Sequence, residues 1–527
     1  MKQSVIGTKT MVVSPHYLAS MAGGRILQQG GNAFDAAVAI SACLAVVYPH
    51  MTGIGGDSFW LCYSSKDRNV RAYNASGRAG SKVTIDTYAG EAVIPFRGVR
   101  SAITVPGMVD GWDAVLREYG RLTLAEVLEP AISYAADGFP MTKDQHTHTL
   151  NNFALLSGTP YTSGIYTPGQ RVPEPGERFV QSDLASSLRD IAAHGRESFY
   201  TGKLAQAITG FLEQSGGLLT ADDFAAHRGN WVTPVSTTYR GYTVYQMPPN
   251  SQGFVGLMAL NILEQVDLKS FENGSYEYYH LLVEALKRSF QDRNEVLSDP
   301  DFCRIPLDKL LDKDYAREMF GEISMESALA PAVSKPMGSD TAYAAVVDEE
   351  GNAVSFIQSL YFEYGSGVVA GNTGILLQNR GSFFSLDPEH VNCLQPNKRS
   401  FHTLMPALAC KDGKPAILYG TQGGEGQPQT QTAIITRMID YGMHPQEAVN
   451  EPRFVWGRTW GNDSQELKLE GRVDQRVAKR LAAAGHDVNI VNDFDGIMGH
   501  AHAIRIDDSG FLYGGFDPRS DGLSIGW

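Results

Sequence analysis

Hydrophobic and polar positions along the chain follow two periods, one typical of helices and the other of strands. Apolar residues recur at helical spacing over residues 276–296, which predicts a long amphipathic helix. An alanine-rich stretch at 34–47, preceded by Gly30-Gly31-Asn32, predicts a buried helix with its cap. A third helix is predicted at 124–137, because Gly138 ends its pattern. Short apolar runs after residue 340 predict strands at 343–347, 353–360, 404–410 and 416–419.

The order of these patterns indicates the fold class. Helical patterns alternate with strand patterns, and the strands after residue 340 come in hairpins. Mixed helices and antiparallel hairpins fit an α/β sandwich in which two sheets lie between helical layers. No linker, fixed-period repeat or low-complexity tract divides the sequence. We therefore expect one interwoven domain.

The composition is that of a large globular protein and argues against several classes of function. The 527 residues are 43% hydrophobic and 19% charged, which is ample for a large core. A net charge of −14 argues against nucleic acid and anionic membranes as partners, although a pocket can still be locally basic. The sequence has no apolar run of about 18 residues and no apolar segment of a secretory signal near its start. We expect a cytoplasmic protein with no membrane partner.

Cysteines and histidines give no pattern of a disulfide framework or a metal site. Five cysteines are scattered along the chain without a Cys-x-x-Cys pair, so we interpret them as reduced thiols. His146 and His148 form a His-x-His pair after Asp144, and His500 and His502 form another. Neither pair has a third ligand nearby in the sequence, whereas catalytic zinc sites have three protein ligands. We predict no metal, and no organic cofactor is needed for the chemistry described below.

Thr341 opens the first predicted hairpin. The polar, proline-containing stretch 330–340 precedes it, and two strand patterns separated by the turn 348–352 follow. Cleavage before Thr341 would make it an N-terminal threonine, whose own α-amine can accept the hydroxyl proton. The reference pKa of such an amine, near ~8, leaves a fraction unprotonated at neutral pH. A β-branched strand residue without a chemical role is the more ordinary explanation of the same spacing.

The sequence around Thr341 resembles the nucleophile region of the gamma-glutamyltranspeptidase family of N-terminal-nucleophile hydrolases. The matching segments are Val346-Val347-Asp348, Gly351-Asn352-Ala353-Val354 and Tyr364-Gly365-Ser366-Gly367-Val368-Val369. Further segments follow the family's order along nearly the whole chain, namely residues 30–39, 53–59, 396–399, 423–424, 451–454 and 517–520.

The resemblance implies a four-layer αββα sandwich built from two chains that are cut from one precursor. The cut would fall between Asp340 and Thr341, giving a large subunit, residues 1–340, and a small subunit, residues 341–527. The two fragments are expected to remain together as a heterodimer, with a dimer of heterodimers as an alternative assembly. The uncut chain should be inactive, because an internal threonine has no α-amine to act as base.

The resemblance also implies the catalytic groups. Thr341 is the expected nucleophile, and Ser359 is the hydroxyl residue expected to hydrogen-bond its oxygen. Gly423 and Gly424 are the expected oxyanion hole, because glycines let backbone N–H groups approach a substrate closely. Without the resemblance, Ser359 is an ordinary strand serine and the glycine pair a plain turn.

The expected substrate contacts depart from the family pattern. Arg78 matches the family arginine that binds the substrate α-carboxylate, although a lone arginine is otherwise most often a surface charge. Phe383 falls at or beside the position where gamma-glutamyl enzymes have the aspartate that holds an α-ammonium group. Arg380 occupies a position where an uncharged amide side chain is expected. His402-Thr403 replaces a Ser-Ser pair. The expected substrate-binding residues are Arg78, Tyr361, Arg380, Phe383, His402 and Thr403.

These departures predict an acidic substrate. Replacing an anion by an aromatic ring and adding a cation disfavours an ammonium group and favours a carboxylate. The short segment between Phe384 and Pro396 also leaves no room for the family's lid loop. We therefore expect a self-cleaving amidohydrolase acting on a small amide that bears a carboxylate. An oxamate-like amide is the first choice, a glutaryl-type acyl amide the second and glutathione the third. The alternative of another class is an uncleaved, catalytically silent binding protein.

Overall fold

A computed structural model describes residues 3–329, 340–457 and 464–527 of the chain. Residues 330–339 of the proline-containing stretch before Thr341 lie outside the described residues, and of Asp340 only the backbone is described. Within the described ranges, no helix combines the length and the apolar character that crossing a membrane requires.

The described residues contain two large sheets and two small ones. Their strands are β1 (Val5–Gly7), β2 (Met11–Ser14), β3 (Asp57–Ser64), β4 (Asn69–Ala75), β5 (Phe139–Pro140), β6 (Arg178–Phe179), β7 (Asn230–Val232), β8 (Val235–Tyr239), β9 (Tyr242–Gln246), β10 (Asp340–Val347), β11 (Ala353–Tyr361), β12 (Ala407–Lys411), β13 (Lys414–Thr421), β14 (Phe454–Trp456), β15 (Leu467–Glu470), β16 (Val488–Val491), β17 (Ala501–Ile506), β18 (Leu512–Gly515) and β19 (Leu523–Gly526).

The α-helices of the described residues lie mostly on the outer faces of the large sheets. They are α1 (Tyr17–Gln28), α2 (Ala33–Val47), α3 (Met108–Tyr119), α4 (Leu124–Asp137), α5 (Lys143–Asn151), α6 (Phe153–Leu156), α7 (Pro160–Tyr166), α8 (Ser182–His194), α9 (Arg196–Tyr200), α10 (Lys203–Gln214), α11 (Ala221–Ala226), α12 (Gly253–Leu263), α13 (Tyr276–Val296), α14 (Leu307–Leu310), α15 (Lys313–Gly321), α16 (Gly426–Ile439), α17 (Pro445–Asn450) and α18 (Gln475–Ala483).

Each large sheet has seven antiparallel strands and draws them from both sides of residue 340. Sheet I has the order β1-β18-β17-β13-β12-β9-β8, and sheet II the order β19-β2-β10-β11-β3-β4-β7. In sheet II, β2 pairs with β10 on one side and with β19 on the other. Strands from the two parts of the chain therefore occur together in both large sheets.

The two sheets pack face to face, and helices cover their outer faces. In β10, Tyr343, Ala345 and Val347 point into the core between the sheets, whereas Ala344 and Val346 join the core under α1 to α4. This alternation follows from the period of two in a strand. Because both faces are buried, the strand appears in the sequence as one continuous apolar run. A third core lies between sheet I and helices α12, α13 and α16. The structure thus confirms the expected four-layer αββα sandwich.

The predicted elements agree closely with the observed ones where the local sequence determines them. The helices at 124–137 and 276–296 are confirmed to the residue, and the one at 34–47 begins one residue earlier, after the Asn32 cap. The strand predicted at 404–410 was placed too early, since β12 begins at Ala407. The carbonyls of Thr403 and Leu404 instead accept hydrogen bonds from the side chains of Gln252 (3.0 Å) and Ser251 (2.5 Å).

Two segments quoted for the family resemblance form a buried ion network. Arg453 lies 2.6 Å from the carboxylate of Asp517, and Arg519 lies 2.9 Å from its other oxygen and also pairs with Glu470. These side chains are buried, and the two arginines hold the pKa of Asp517 well below its usual range. Arg453 also donates to the carbonyl of Gly499, next to the loop that carries the glycine pair (2.9 Å). The network therefore supports the fold beneath that loop.

Asp517→Ala is expected to lower the free energy of unfolding by about 3–5 kcal/mol, because breaking a buried ion pair leaves an uncompensated charge. Denaturant unfolding at neutral pH measures this loss. The stabilisation is expected to disappear as the pH falls from about 4 towards the lowered pKa, since protonation neutralises the carboxylate.

Asp508→Ala is the matched control, because Asp508 is 89% exposed and pairs only with an exposed lysine. It should change the unfolding free energy by no more than about 0.5 kcal/mol. Equal effects of the two substitutions would contradict a buried, energetically coupled network.

Candidate active site

Thr341 lies buried at an irregularity in the pairing of β10 with β11. Asp340 pairs with Tyr361 and Ala342 pairs with Gln358, so that two residues of β11, Ser359 and Leu360, oppose Thr341. This is a β-bulge, a feature that bends a strand and re-aims side chains next to active sites. Thr341 is 1% exposed, at the edge of the core between the sheets.

The bulge also orients Ser359. Its Oγ accepts a hydrogen bond from the backbone N–H of Tyr361 (2.8 Å). The backbone of Tyr361 has a φ of 90°, an unusual value for a large side chain. The bulge thus places a hydroxyl across the strand pair from Thr341.

Arg380 is a buried cation beside this bulge. Its guanidinium carbon lies 4.1 Å from the centre of the Tyr361 ring, and its side chain is almost fully buried. Among the described residues, its Nε and Nη1 atoms have no hydrogen-bond partner. Burial lowers the pKa of Arg380 to about 10, which still leaves it charged at neutral pH. Two nitrogens of a buried guanidinium without hydrogen bonds are costly, so an anion at this position would stabilise the group.

Asp57 is the buried acid of the same cluster. It begins β3, pairs across the sheet with Ser359, and accepts hydrogen bonds from the backbone N–H groups of Gly77 and Gly107 (3.1 Å each). Burial raises the pKa of Asp57 to about 6, and the nearby Arg380 opposes that rise. The sequence analysis missed this residue. Its signal was a lone acid in the glycine loop 53–59, at the start of a strand whose residues are all buried.

His402 and Phe383 complete the wall around Arg380. The His402 Nε2 atom lies 3.3 Å from the Asp57 carboxylate, and burial together with Arg380 holds the pKa of His402 well below its usual range. The imidazole is therefore neutral. The ring of Phe383 lies 5.2 Å from that of Tyr361, between centroids. The structure thus brings together Tyr361, Arg380, Phe383 and His402 of the predicted substrate-binding residues, and adds Asp57.

Gly423 and Gly424 lie in the loop between β13 and α16. Their φ values of 126° and 53° are in the region that favours glycine. Two residues later the chain enters α16, whose N-terminal end favours a negative charge. The end of β13 crosses the start of β10, because a Cβ atom on Gly420 would lie 2.2 Å from the Tyr343 ring. Gln252 joins this loop to Thr403, since its Nε2 donates to the carbonyls of Gly424 and Thr403 (3.0 Å each).

Arg78 lies in different surroundings from Arg380. Its guanidinium pairs with Asp299 (3.1 Å) and Asp301 (2.6 Å), and about a third of the side chain is exposed. It lines a cavity of about 380 Å³ together with Arg399. Of the described residues, those lining this cavity include none of the Arg380 cluster. Arg78 therefore already has carboxylate partners from the protein.

The histidines lie in two groups that could offer metal ligands. Contrary to the sequence reasoning, His148 does have neighbours of the right type, because His50 and Asp144 place ligand atoms within 4.8 Å of it and of each other. The His50 and His148 rings stack at 15° to one another, and their Nε2 atoms lie 3.1 and 3.5 Å from the Asp144 carboxylate, which pairs with both. His148 also pairs with Glu363 (3.2 Å), and His146 instead contacts the carbonyl of Pro173 (2.9 Å).

The second group was not evident from the sequence. It consists of His280, Glu284 and His486, all buried, with ligand atoms again within 4.8 Å of one another. The two imidazoles hydrogen-bond each other (2.9 Å), and the Lys287 ammonium lies 2.8 Å from Glu284. An ammonium group in this position competes with a metal ion for the carboxylate.

The αββα sandwich and the buried threonine hairpin define an N-terminal-nucleophile hydrolase fold. The family model of gamma-glutamyltranspeptidase matches residues 19–527, and the chain belongs to that family. It is therefore an enzyme that hydrolyses amide C–N bonds.

Proteins that resemble this chain carry several activities in their names. The chain is 64% identical over 526 residues to the glutathione hydrolase-like YwrD proenzyme of Bacillus subtilis, covering 100% of both chains. It is 42% identical over 532 residues to the oxamate amidohydrolase proenzyme of Klebsiella pneumoniae, again covering 100% of both. The structure of cephalosporin acylase from Bacillus halodurans superimposes with a TM-score of 0.94 at 37% identity, covering 100% of this chain and 97% of that one.

Asp57→Asn is expected to remove a pH dependence of binding to the Arg380 site. Below about pH 6 Asp57 takes up a proton, so Arg380 presents more positive potential to an anionic substrate. The wild type should therefore show a lower KM for such a substrate below pH 6 than above it. Asn keeps the side chain's shape without the charge, so the variant should have a low KM that is flat between pH 5 and 7.

The measurement is KM against pH for wild type and variant, with Asp508→Asn as a surface control that keeps the wild-type profile. An unchanged profile in Asp57→Asn would show that this carboxylate does not influence substrate binding.

Proposed function

We propose that the chain is a self-processing amidohydrolase that uses Thr341 as an N-terminal nucleophile on a small amide bearing a carboxylate, with an oxamate-like amide as first choice. The observation that carries the substrate proposal is the buried guanidinium of Arg380, whose Nε and Nη1 atoms lack hydrogen-bond partners among the described residues. Two relatives are named as proenzymes, which supports cleavage of this chain before Thr341.

Processing would proceed at the bulge. The Thr341 hydroxyl attacks the carbonyl carbon of Asp340, the peptide C–N bond breaks, and the acyl group moves from nitrogen to oxygen as the amine takes up the proton. Water then hydrolyses the ester and releases residues 1–340 from the new N-terminus. Burial of Thr341 and the hydroxyl of Ser359 across the strand pair support attack at this peptide.

Turnover would repeat the same chemistry on the substrate. The freed α-amine accepts the hydroxyl proton while the Thr341 oxygen attacks the substrate amide. Negative charge develops on the former carbonyl oxygen, where backbone N–H groups of Gly423 and Gly424 at the start of α16 would stabilise it. The leaving amine, which is ammonia for oxamate, takes the proton, and water hydrolyses the acyl ester.

The position of the cation favours a short substrate. In oxamate the carboxylate is bonded directly to the scissile carbonyl carbon, so the cation that binds it must lie beside the nucleophile. Arg380 contacts the ring of Tyr361, two residues from Ser359 on the same bulge. The planar guanidinium fork matches a carboxylate. Arg78 lines a separate cavity and is paired with two aspartates, so the structure supports Arg380 over Arg78 for this role.

Two longer substrates are the alternatives. The 64% identity to a glutathione hydrolase-like protein favours gamma-glutamyl amides, and the likeness to a cephalosporin acylase favours glutaryl-type amides. A gamma-glutamyl substrate carries an α-ammonium group, which needs an anion in the site. Phe383 supplies only an aromatic ring at the position expected to hold that group, next to Tyr361.

Thr341→Ala is expected to remain a single chain and to be inactive, because the variant has no hydroxyl to attack the peptide. The wild type should give two bands on a denaturing gel, with the smaller fragment beginning at Thr341 by N-terminal sequencing. Thr341→Ser is the matched control and should still be cut, since it keeps the hydroxyl.

Cleavage of purified Thr341→Ala before residue 341 would refute self-processing by this residue. A single full-length band for the wild type would instead favour the silent binding protein.

Arg380→Ala is expected to lower kcat/KM for oxamate about 30-fold to several thousand-fold, because truncating one partner of a buried charge pair costs ~2–5 kcal/mol and ~1.4 kcal/mol is tenfold. Arg78→Ala, the matched arginine, should lower it less. Phe383→Asp should shift preference towards gamma-glutamyl amides, since it supplies a carboxylate at the position expected to hold the α-ammonium group. Ammonia release from oxamate, and hydrolysis of glutaryl and gamma-glutamyl anilides, measure the three substrates side by side.

A wild type that prefers the gamma-glutamyl anilide over both other substrates would overturn this substrate assignment. A larger loss in Arg78→Ala than in Arg380→Ala would move the carboxylate site to the cavity of Arg78.

A further inference from the structure

The side-chain amide of Gln252 is shared between two segments of the proposed active site. Gln252 is fully buried just before α12, and its Nε2 donates to the carbonyl oxygens of Thr403 and Gly424, both at 3.0 Å. A primary amide has two N–H donors. Both are therefore used to hold main-chain carbonyls of the segment after residue 340.

Arg293 fixes the orientation of that amide. Its Nη1 donates to the Oε1 of Gln252 at 2.8 Å, and its Nη2 pairs with the carboxylate of Glu425 at 2.6 Å. A guanidinium only donates, so the Gln252 oxygen must face Arg293 and the nitrogen must face the two carbonyls. Arg293 is 1% exposed, and it lies over the rings of Phe290 and Phe401. Its position in the last turn of α13 is thus set by packing as well as by charge.

Backbone hydrogen bonds at the start of α16 hold the carbonyls of the glycine pair, because the N–H of Gly426 donates to Gly423 (2.7 Å) and that of Gln427 to Gly424 (3.2 Å). A Cβ atom on Gly423 would have no neighbour closer than 3.7 Å, so the loop is not fixed by tight packing there. Glycine also has the widest range of backbone conformations. The direction of the Gly423 and Gly424 N–H groups therefore depends on contacts from outside the loop as well as on these backbone hydrogen bonds. Gln252 supplies one at the carbonyl of Gly424, and Arg293 supplies one at the next side chain, Glu425.

We propose that Gln252 and Arg293 are positioning residues that orient the N–H groups of Gly423 and Gly424 toward the oxyanion of the reaction. This inference rests on the proposed function, because it takes the glycine pair as the group that stabilises the oxyanion. The inference adds that two residues from before residue 340, Gln252 and Arg293, set the geometry of the Gly423–Gly424 loop, which lies after residue 340. Neither residue contacts the substrate in this account.

The proposal distinguishes an effect on catalysis from an effect on binding. N–H groups of an oxyanion hole bind more strongly to the transition state than to the substrate, so a misplaced hole lowers kcat and leaves KM nearly unchanged. Loss of a single such donor costs roughly 100- to 1,000-fold in kcat. A displaced loop that retains its donors should cost less, about 10- to 100-fold.

The test variant is Gln252→Glu. Glutamate keeps the size of the side chain and the contact with Arg293, but it has no N–H to donate and places negative charge next to the two carbonyls. We expect kcat of the processed enzyme for its best amide substrate to fall about 10- to 100-fold, with KM within about twofold and a melting temperature near that of wild type. Arg293→Lys, which keeps the charge and loses the second donor arm, should show the same pattern with a smaller fall.

Arg288→Lys is the matched control, because Arg288 lies on the same helix and pairs with Glu322, which is 58% exposed. It should leave kcat and KM unchanged. If Gln252→Glu does not fold, Arg293→Lys carries the test alone. A processed Gln252→Glu enzyme with wild-type kcat, or one in which KM rises as much as kcat falls, would overturn the proposal and leave the proposed function standing. A wild type that is neither cut nor active on amides would overturn both.

Discussion

The pairing of β10 with β11 is the constraint on which the rest of the site depends. Both strands are buried on both faces, so their register cannot slip without moving a row of apolar side chains out of two cores. Within this fixed register, one extra residue in β11 opposes Thr341. At this irregularity the Ser359 hydroxyl accepts from the backbone N–H of Tyr361, and the Tyr361 ring packs against Arg380 and Phe383. The rigid hairpin therefore specifies the position of Thr341, and the bulge specifies which side chains lie beside the strand pair.

Buried arginines in this protein are nearly all matched by groups of the protein itself. Arg453 has Asp517, Arg293 has Glu425, and Arg437 donates to the carbonyl of Pro452. Arg380 differs, because its close neighbours are an aromatic face and an acid whose own pKa is raised. Arg437 and Arg453 each also keep one nitrogen without a partner among the described residues, but they bond to the protein through their other nitrogens, whereas Arg380 leaves both Nε and Nη1 without partners. This contrast among the four arginines makes Arg380 a stronger candidate for binding an anionic ligand than its position in the sequence alone does.

Local patterns in the sequence determined much of the fold and part of the site. The periodicity of 276–296 and the glycine after 137 placed two helices to the residue, because those signals are contained within the elements themselves. The cluster of Tyr361, Arg380 and Phe383 followed from matching a family pattern. Asp57 was missed because its partners lie 20 to 345 residues away, and no local pattern encodes such contacts. The surroundings of Arg78 could not be predicted either, since Asp299 and Asp301 approach it only in the folded chain.

Because strands from before and after residue 340 share both large sheets, a cut at residue 340 changes how the protein can unfold and refold. In sheet II, β2 lies between β10 and β19, so strands from before the cut sit between strands from after it. The intact chain folds as a single molecule, and the rate of that process does not depend on concentration. Once cut, the fragments can separate only by dismantling both sheets, and their reassembly becomes a bimolecular reaction with its own translational entropy cost. A cut enzyme of this topology is thus held together by the kinetic barrier to unfolding. After denaturation and dilution, the two fragments refold together only slowly, whereas the uncut precursor can still refold as one molecule.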